Sequence, residues 1–173
     1  MDNKELFESY KALKGRDAFE ARTKQGMLPI IEIAGYPFYV DVRIGFLRPK
    51  DDFSTMGIEI GRMTVDPETR NLSDFYDKQL KELVFPDEGQ TSFPPNVVRL
   101  GIPNYYVLDP VGMARRHGKD DDAYYIQDGI RQKMYHKATV TRRLPGQKIR
   151  ADVKPKPESG QKKVIIKRKS RGI

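Results

Sequence analysis

Twelve lysines and arginines crowd the last thirty-three positions of this sequence: Arg142, Arg143, Lys148, Arg150, Lys154, Lys156, Lys162, Lys163, Lys167, Arg168, Lys169 and Arg171. Only Asp152 and Glu158 oppose them, so residues 141–173 hold a net charge of +10. The whole chain is +8, from thirty-two basic and twenty-four acidic residues. Residues 1–140 therefore keep twenty bases against twenty-two acids, a net of −2. A dense cationic segment gains affinity for DNA or RNA by releasing counterions condensed on phosphates, and it needs no fixed shape to do so. Phosphate contacts position a protein without reading sequence, so the binding implied is non-specific. The same charge also suits a solubilising tail, or a segment that folds against an acidic protein partner.

Other constellations are weaker. Asp41, Asp51 and Glu59, with Arg62 nearby, loosely imitate the carboxylates that hold a hard cation in metal-dependent nucleases. Their order and spacing are poor, and acids in hairpin loops are ordinarily solvated. Asp120-Asp121-Asp122 lacks the glycine and bidentate glutamate of a calcium loop and reads as a helix start. His117 and His136 are the only histidines, too widely spaced for a convincing metal site. Tyr36, Phe38, Tyr39, Tyr105 and Tyr106 invite a base-stacking surface. Only Arg43 and Arg99 accompany them, however, and aromatics on short strands are mostly core. No phosphate loop, cofactor fingerprint or catalytic motif is present, so no catalytic, cofactor or metal residue is assigned.

Absence of cysteine removes disulfides and thiolate chemistry and fits a reducing, cytoplasmic setting. No apolar leader follows Met1, and no apolar run is long enough to span a bilayer. Val164-Ile165-Ile166, set among lysines, could dock on a protein partner or pack back on the body, but three apolar residues anchor nothing in a membrane.

The elements that must position these residues follow from periodicity. Asp2 and Glu5 form a capping-box pattern ahead of Leu6, Phe7, Tyr10 and Leu13, which recur at helical spacing. Gly15 divides this into two shorter helices, and Gln25-Gly26 ends it. Residues 28–34 read as a strand and 36–44, with Phe38, Val40, Val42 and Ile44 in alternation, as its partner in a hairpin turned at Ala34-Gly35. Residues 48–52 read as a loop, 57–63 as a short strand and Asp66–Thr69 as a turn. Ser73 is expected to cap a short helix through Tyr76, Leu80 and Leu83, stopped by Pro86. A loop follows over 87–96, then strands at 97–100 and 105–108. Asp109-Pro110 starts a helix ended by Gly118, and Asp120–Asp122 start a last one reaching about His136. Pro145, Gly146, Pro155, Pro157 and Gly160 give residues 141–173 the composition of a flexible, disordered arm.

The run Ile33-Ala34-Gly35-Tyr36-Pro37-Phe38-Tyr39-Val40-Asp41, followed by Leu47-Arg48-Pro49-Lys50-Asp51-Asp52-Phe53, is similar to short uncharacterised proteins from mobile or phage-derived regions of Bacteroides-type gut bacteria. The likeness covers about residues 28–60 and implies a DNA-associated accessory role, without implying any site residue.

The fold expected is α+β: a small, mainly antiparallel sheet with three or four short helices over residues 1–140, and a basic tail over 141–173. The function expected is non-enzymatic, binding nucleic acid through that tail. A protein-interaction or regulatory module is the alternative.

Overall fold

The computed structural model describes residues 1–141; the basic positions from Arg142 to Arg171, and Val164, Ile165 and Ile166, lie outside them. Helix α1 (Asn3–Ala12) begins at the anticipated capping box: the Glu5 amide donates to the Asp2 carboxylate at 2.8 Å, and the Asp2 amide donates back to Glu5 at 3.1 Å. Helix α2 (Gly15–Thr23) is separate, as the glycine implied. Strands β1 (Ile30–Ile33) and β2 (Tyr36–Asp41) form the expected hairpin, Ile30 opposite Tyr39 and Ile33 opposite Tyr36. Its turn residues Ala34 and Gly35 are both left-handed, with φ 50° and 79°, which suits the twist of a tight hairpin. Strand β3 (Phe46–Pro49) reaches into the stretch expected to be loop. Strand β4 (Ile58–Glu59) is only two residues long, because a 3-10 turn over Ile60–Arg62 replaces the rest of the expected strand; β5 (Thr64–Val65) follows.

Three expectations are corrected. Residues 73–84 form no helix but a hairpin, β6 (Leu72–Asp77) and β7 (Glu82–Val84). Leu72 and Tyr76 face the main core, whereas Phe75 packs on Val97 and Phe93, a period of two rather than 3.6. Asp77 makes the turn, accepting from the amides of Gln79 (2.8 Å) and Leu80 (3.0 Å), and Leu80 is left 60% exposed at its tip. Strand β8 (Val97–Ile102) is as expected. Tyr105–Leu108 is a helix, α3, because Asn104 caps it by accepting from the amides of Tyr106 (3.1 Å) and Val107 (3.2 Å). Helix α4 (Pro110–Arg116) starts at Asp109-Pro110 as read, but α5 (Ala123–Asp128) ends at a left-handed Gly129 and does not reach His136. Strands β9 (Tyr135–Lys137) and β10 (Thr139–Thr141) take up that segment instead.

The architecture is α+β, with five α-helices and two mostly antiparallel sheets among the described residues. The first sheet runs β4-β3-β2-β1-β9, its one parallel pair being β1 with β9. The second runs β10-β8-β6-β5, with β7 also on β6. One apolar cluster joins Ile31, Phe38, Val40 and Leu47 of the first sheet to Leu72, Tyr76, Val98 and Leu100 of the second. The opposite face of the first sheet presents Ile30 and Tyr39 to Leu6, Phe7, Tyr10, Ala18 and Ala21 of α1 and α2. Alternation along β1 thus feeds two cores from one strand. No helix among the described residues is long and apolar enough to cross a membrane.

A buried ion pair ties the helical layer to the rest. Arg22 of α2 donates through Nε to both carboxylate oxygens of Asp109 (3.0 and 3.1 Å) and through Nη2 to Oδ2 (3.0 Å). The same carboxylate caps α4 by accepting from the Gly112 amide at 3.0 Å. Gly112 has no room for a side chain: a Cβ there would stand 2.1 Å from Asp109 Oδ2 and 2.6 Å from Val42.

Gly57 is fixed on both counts. Its φ is +87°, and a Cβ would meet the Leu47 carbonyl oxygen at 2.1 Å, where the loop after β3 returns beside it. Gly57→Ala is expected to lower the unfolding free energy by about 2–4 kcal/mol. A guanidinium melt of the variant checks this, and a loss below about 0.5 kcal/mol would show that the loop yields without strain.

Candidate nucleic-acid interface

The residues with chemical potential are largely consumed by the fold. Asp41 is buried and paired with Arg48 at 3.3 Å, whereas Asp51 is exposed and faces Lys50 at 3.3 Å. The Arg62 guanidinium lies over the Phe85 ring at 4.1 Å. Among the described residues no three His, Asp or Glu side chains come together as metal ligands would. Asp121 accepts from Arg115 at 2.6 and 2.8 Å, and Asp122 takes the N-cap position of α5 without a side-chain bond to it. The hairpin aromatics are packing residues: Phe38 is fully buried, and Tyr36 meets its edge at 5.7 Å.

The two histidines stand apart. His117 Nδ1 contacts the Tyr124 hydroxyl. His136 is buried on β9, and its Nε2 lies 2.9 Å from the Leu108 carbonyl oxygen; only an N–H can satisfy that acceptor, so this nitrogen holds the proton of the neutral ring. Burial, opposed by that hydrogen bond, pushes its pKa down from 6.5 to about 4. The folded state therefore refuses a proton that the unfolded chain accepts. Stability conferred at neutral pH is lost as pH falls from about 6.5 to about 4, by about 3 kcal/mol in total. His136→Gln, which keeps a donor for Leu108, is expected to remove that part of the pH dependence. Denaturation midpoints at pH 7 and pH 4.5 decide it, and an unchanged difference between parent and variant would contradict the assignment.

One surface does gather the right chemistry. A groove of about 800 Å³ opens between the α1–α2 junction and the segment leading into β9. The α1–α2 junction contributes Lys11 and Lys14 to its lining, and the later segment contributes Arg131 and Lys133 together with Tyr125 and Tyr135. The Arg131 guanidinium carbon lies over Tyr125, 3.7 Å from its ring centre, and Lys11 Nζ is 4.9 Å from the Tyr135 ring centre. Phe19 supports Tyr125 at 6.4 Å, and Phe7 meets Tyr135 edge-on at 5.9 Å. The floor is Met134, fully buried, and Tyr10.

Backbone pairing sets this wall. The Ile30 amide donates to the Met134 carbonyl and the Ala138 amide to the Glu32 carbonyl, each at 2.9 Å, holding the segment along β1. Gln132, Met134, His136 and Ala138 consequently turn inward, while Arg131, Lys133 and Lys137 stay exposed. That alternation was visible in the sequence and is the signal a helical reading of 123–136 hides. Two other concavities are not selectively charged: one pairs Asp66 with Lys137 in its lining, the other Arg70 with Asp128.

The twelve basic residues of 142–171 fall outside the described residues, so no geometry attaches to them. Comparison with known proteins gives no relative to lean on: no family model, curated protein or solved structure matches the chain.

Proposed function

We propose that this protein is a nucleic-acid-binding accessory protein whose basic segment, residues 142–171, contacts the phosphates of DNA or RNA without sequence preference. The observation that supports the reading is the division of charge, +10 over residues 141–173 against −2 over residues 1–140. Polyanions with condensed counterions reward such a segment far more than a carboxylate surface does. Anisotropy titrations of the full chain against labelled single and double strands, at about 50 and 200 mM salt, test it. Affinity is expected to fall by about three hundredfold for a single strand and about a thousandfold for a duplex between the two conditions. Binding that ignores salt, or no binding at either, would contradict it.

A protein-interaction module is favoured by one structural observation. Phe53 and Met56, 94% and 64% exposed, sit on the loop between β3 and β4, and Leu80 projects from the β6–β7 turn. The loop and the turn are fastened together by Lys81 with Asp52 at 2.6 Å and by Thr55 with Glu82. The Lys81 ammonium and the Ser54 hydroxyl hold the Asp52 pKa down to about 2, so this clasp persists in acid. A partner retained on the full chain after nuclease digestion supports this second reading, and one lost supports the first.

A further inference from the structure

We infer that the groove between α1–α2 and the 125–135 segment is a binding site for single-stranded nucleic acid on the folded body itself. The inference rests on the reading just given and narrows it, since a tail of cations does not distinguish single from double strands. Against a body with more acids than bases, the groove lining holds Lys11, Lys14, Arg131 and Lys133 and no carboxylate. Lys14, Arg131 and Lys133 are exposed, and none of them has an ion-pair partner among the described residues. Two acids stand close by: Glu8 pairs with Lys11 at 2.8 Å, and Glu32 accepts the Tyr135 hydroxyl. Neither faces the three free cations from the lining.

Charge alone would suit any phosphate. The aromatic rings select the strand type. Tyr125 is 38% exposed and already has the guanidinium of Arg131 over its ring, with Phe19 tilted against it at 6.4 Å. A base stacks on such a guanidinium or ring only if its face is free, which is true of a single strand and false inside a duplex. The cations that share the lining with these rings would meet the backbone flanking the stacked base.

The test uses the full chain and three labelled probes of equal length: an oligo-dT strand, an oligo-U strand and a DNA duplex. Replacing Lys14, Arg131 and Lys133 together with glutamine is expected to weaken both single strands about tenfold or more, and to reduce the salt slope by about 2. Tyr125→Ala is expected to weaken the single strands by about tenfold with less than a twofold effect on the duplex. All four positions are exposed, so unchanged thermal melting certifies the fold. Equal loss for duplex and single strands in Tyr125→Ala would overturn strand selection. Groove variants that bind like the parent, while a tail-neutralised chain fails to bind, would overturn the groove and leave the tail reading standing. Loss in the groove variants, with the tail-neutralised chain still binding, supports the groove and removes the tail from the account. A difference between oligo-dT and oligo-U assigns DNA or RNA.

Discussion

Replacing the twelve basic residues of 142–171 with glutamine is expected to weaken binding to a strand of roughly 20 nucleotides by at least about a thousandfold at low salt. Glutamine keeps length and hydration, so charge is the property removed. Each phosphate contact on a single strand contributes about 0.7 to the salt slope, and half of the twelve engaging at once gives a slope near −4. A chain with the same residues shuffled within 141–173 is expected to bind like the parent, because counterion release counts cations and ignores their order. A shuffled chain that lost binding would point instead to a folded recognition element in the segment. Affinity surviving complete neutralisation would remove the tail from the function altogether.

The second large effect lies in the core. Asp109→Ala is expected to lower the unfolding free energy by about 3–5 kcal/mol, because it strands the Arg22 guanidinium without a partner in a buried position. Loss of the α4 cap adds about 1 kcal/mol, since the Gly112 amide loses its acceptor. Asp109→Asn keeps the cap and removes only the charge, so its loss against the parent isolates the ion pair and the difference between the two variants isolates the cap. The double variant Arg22→Met/Asp109→Asn is expected to recover part of the loss, as it leaves no unpaired buried charge. Guanidinium denaturation of the set measures this. A single-variant loss below about 1 kcal/mol would show that solvent reaches Arg22 once its partner is gone. The consequence is functional as well, because α2 opens one side of the groove at Gly15 and is fastened at its other end by Arg22. Loosening that end should blunt single-strand preference before it unfolds the chain.

Local rules carried the sequence reading wherever a side chain bonds to its own neighbourhood. Asp2 with Glu5, the Ala34-Gly35 turn and Asp109-Pro110 each specify their element within four residues, and each is found as read. Reading failed where tertiary pairing decides between two periods. Tyr76, Leu80, Leu83 and Val84 fit a helix on spacing alone, but Asp77 bends the chain and β8 supplies a partner strand for the whole of Leu72–Asp77. Tyr105–Leu108 favours a strand by composition, and a single cap from Asn104 reverses it. The groove was hidden for a third reason. Lys11 and Tyr135 are more than a hundred residues apart, and the parallel pairing of β9 with β1 that brings them together has no sequence signature. The alternation over 131–138 was legible, but only once α5 is known to stop at Gly129.

The most direct test of the electrostatic claim is the slope of log affinity against log salt, measured as the basic residues of 142–171 are neutralised in three successive blocks. The slope is expected to shrink with each block, by about 0.7 for every phosphate contact removed, until only the contribution of the groove remains. A slope that stays constant across the series would mean that these cations do not meet phosphate, and the proposed function would be wrong.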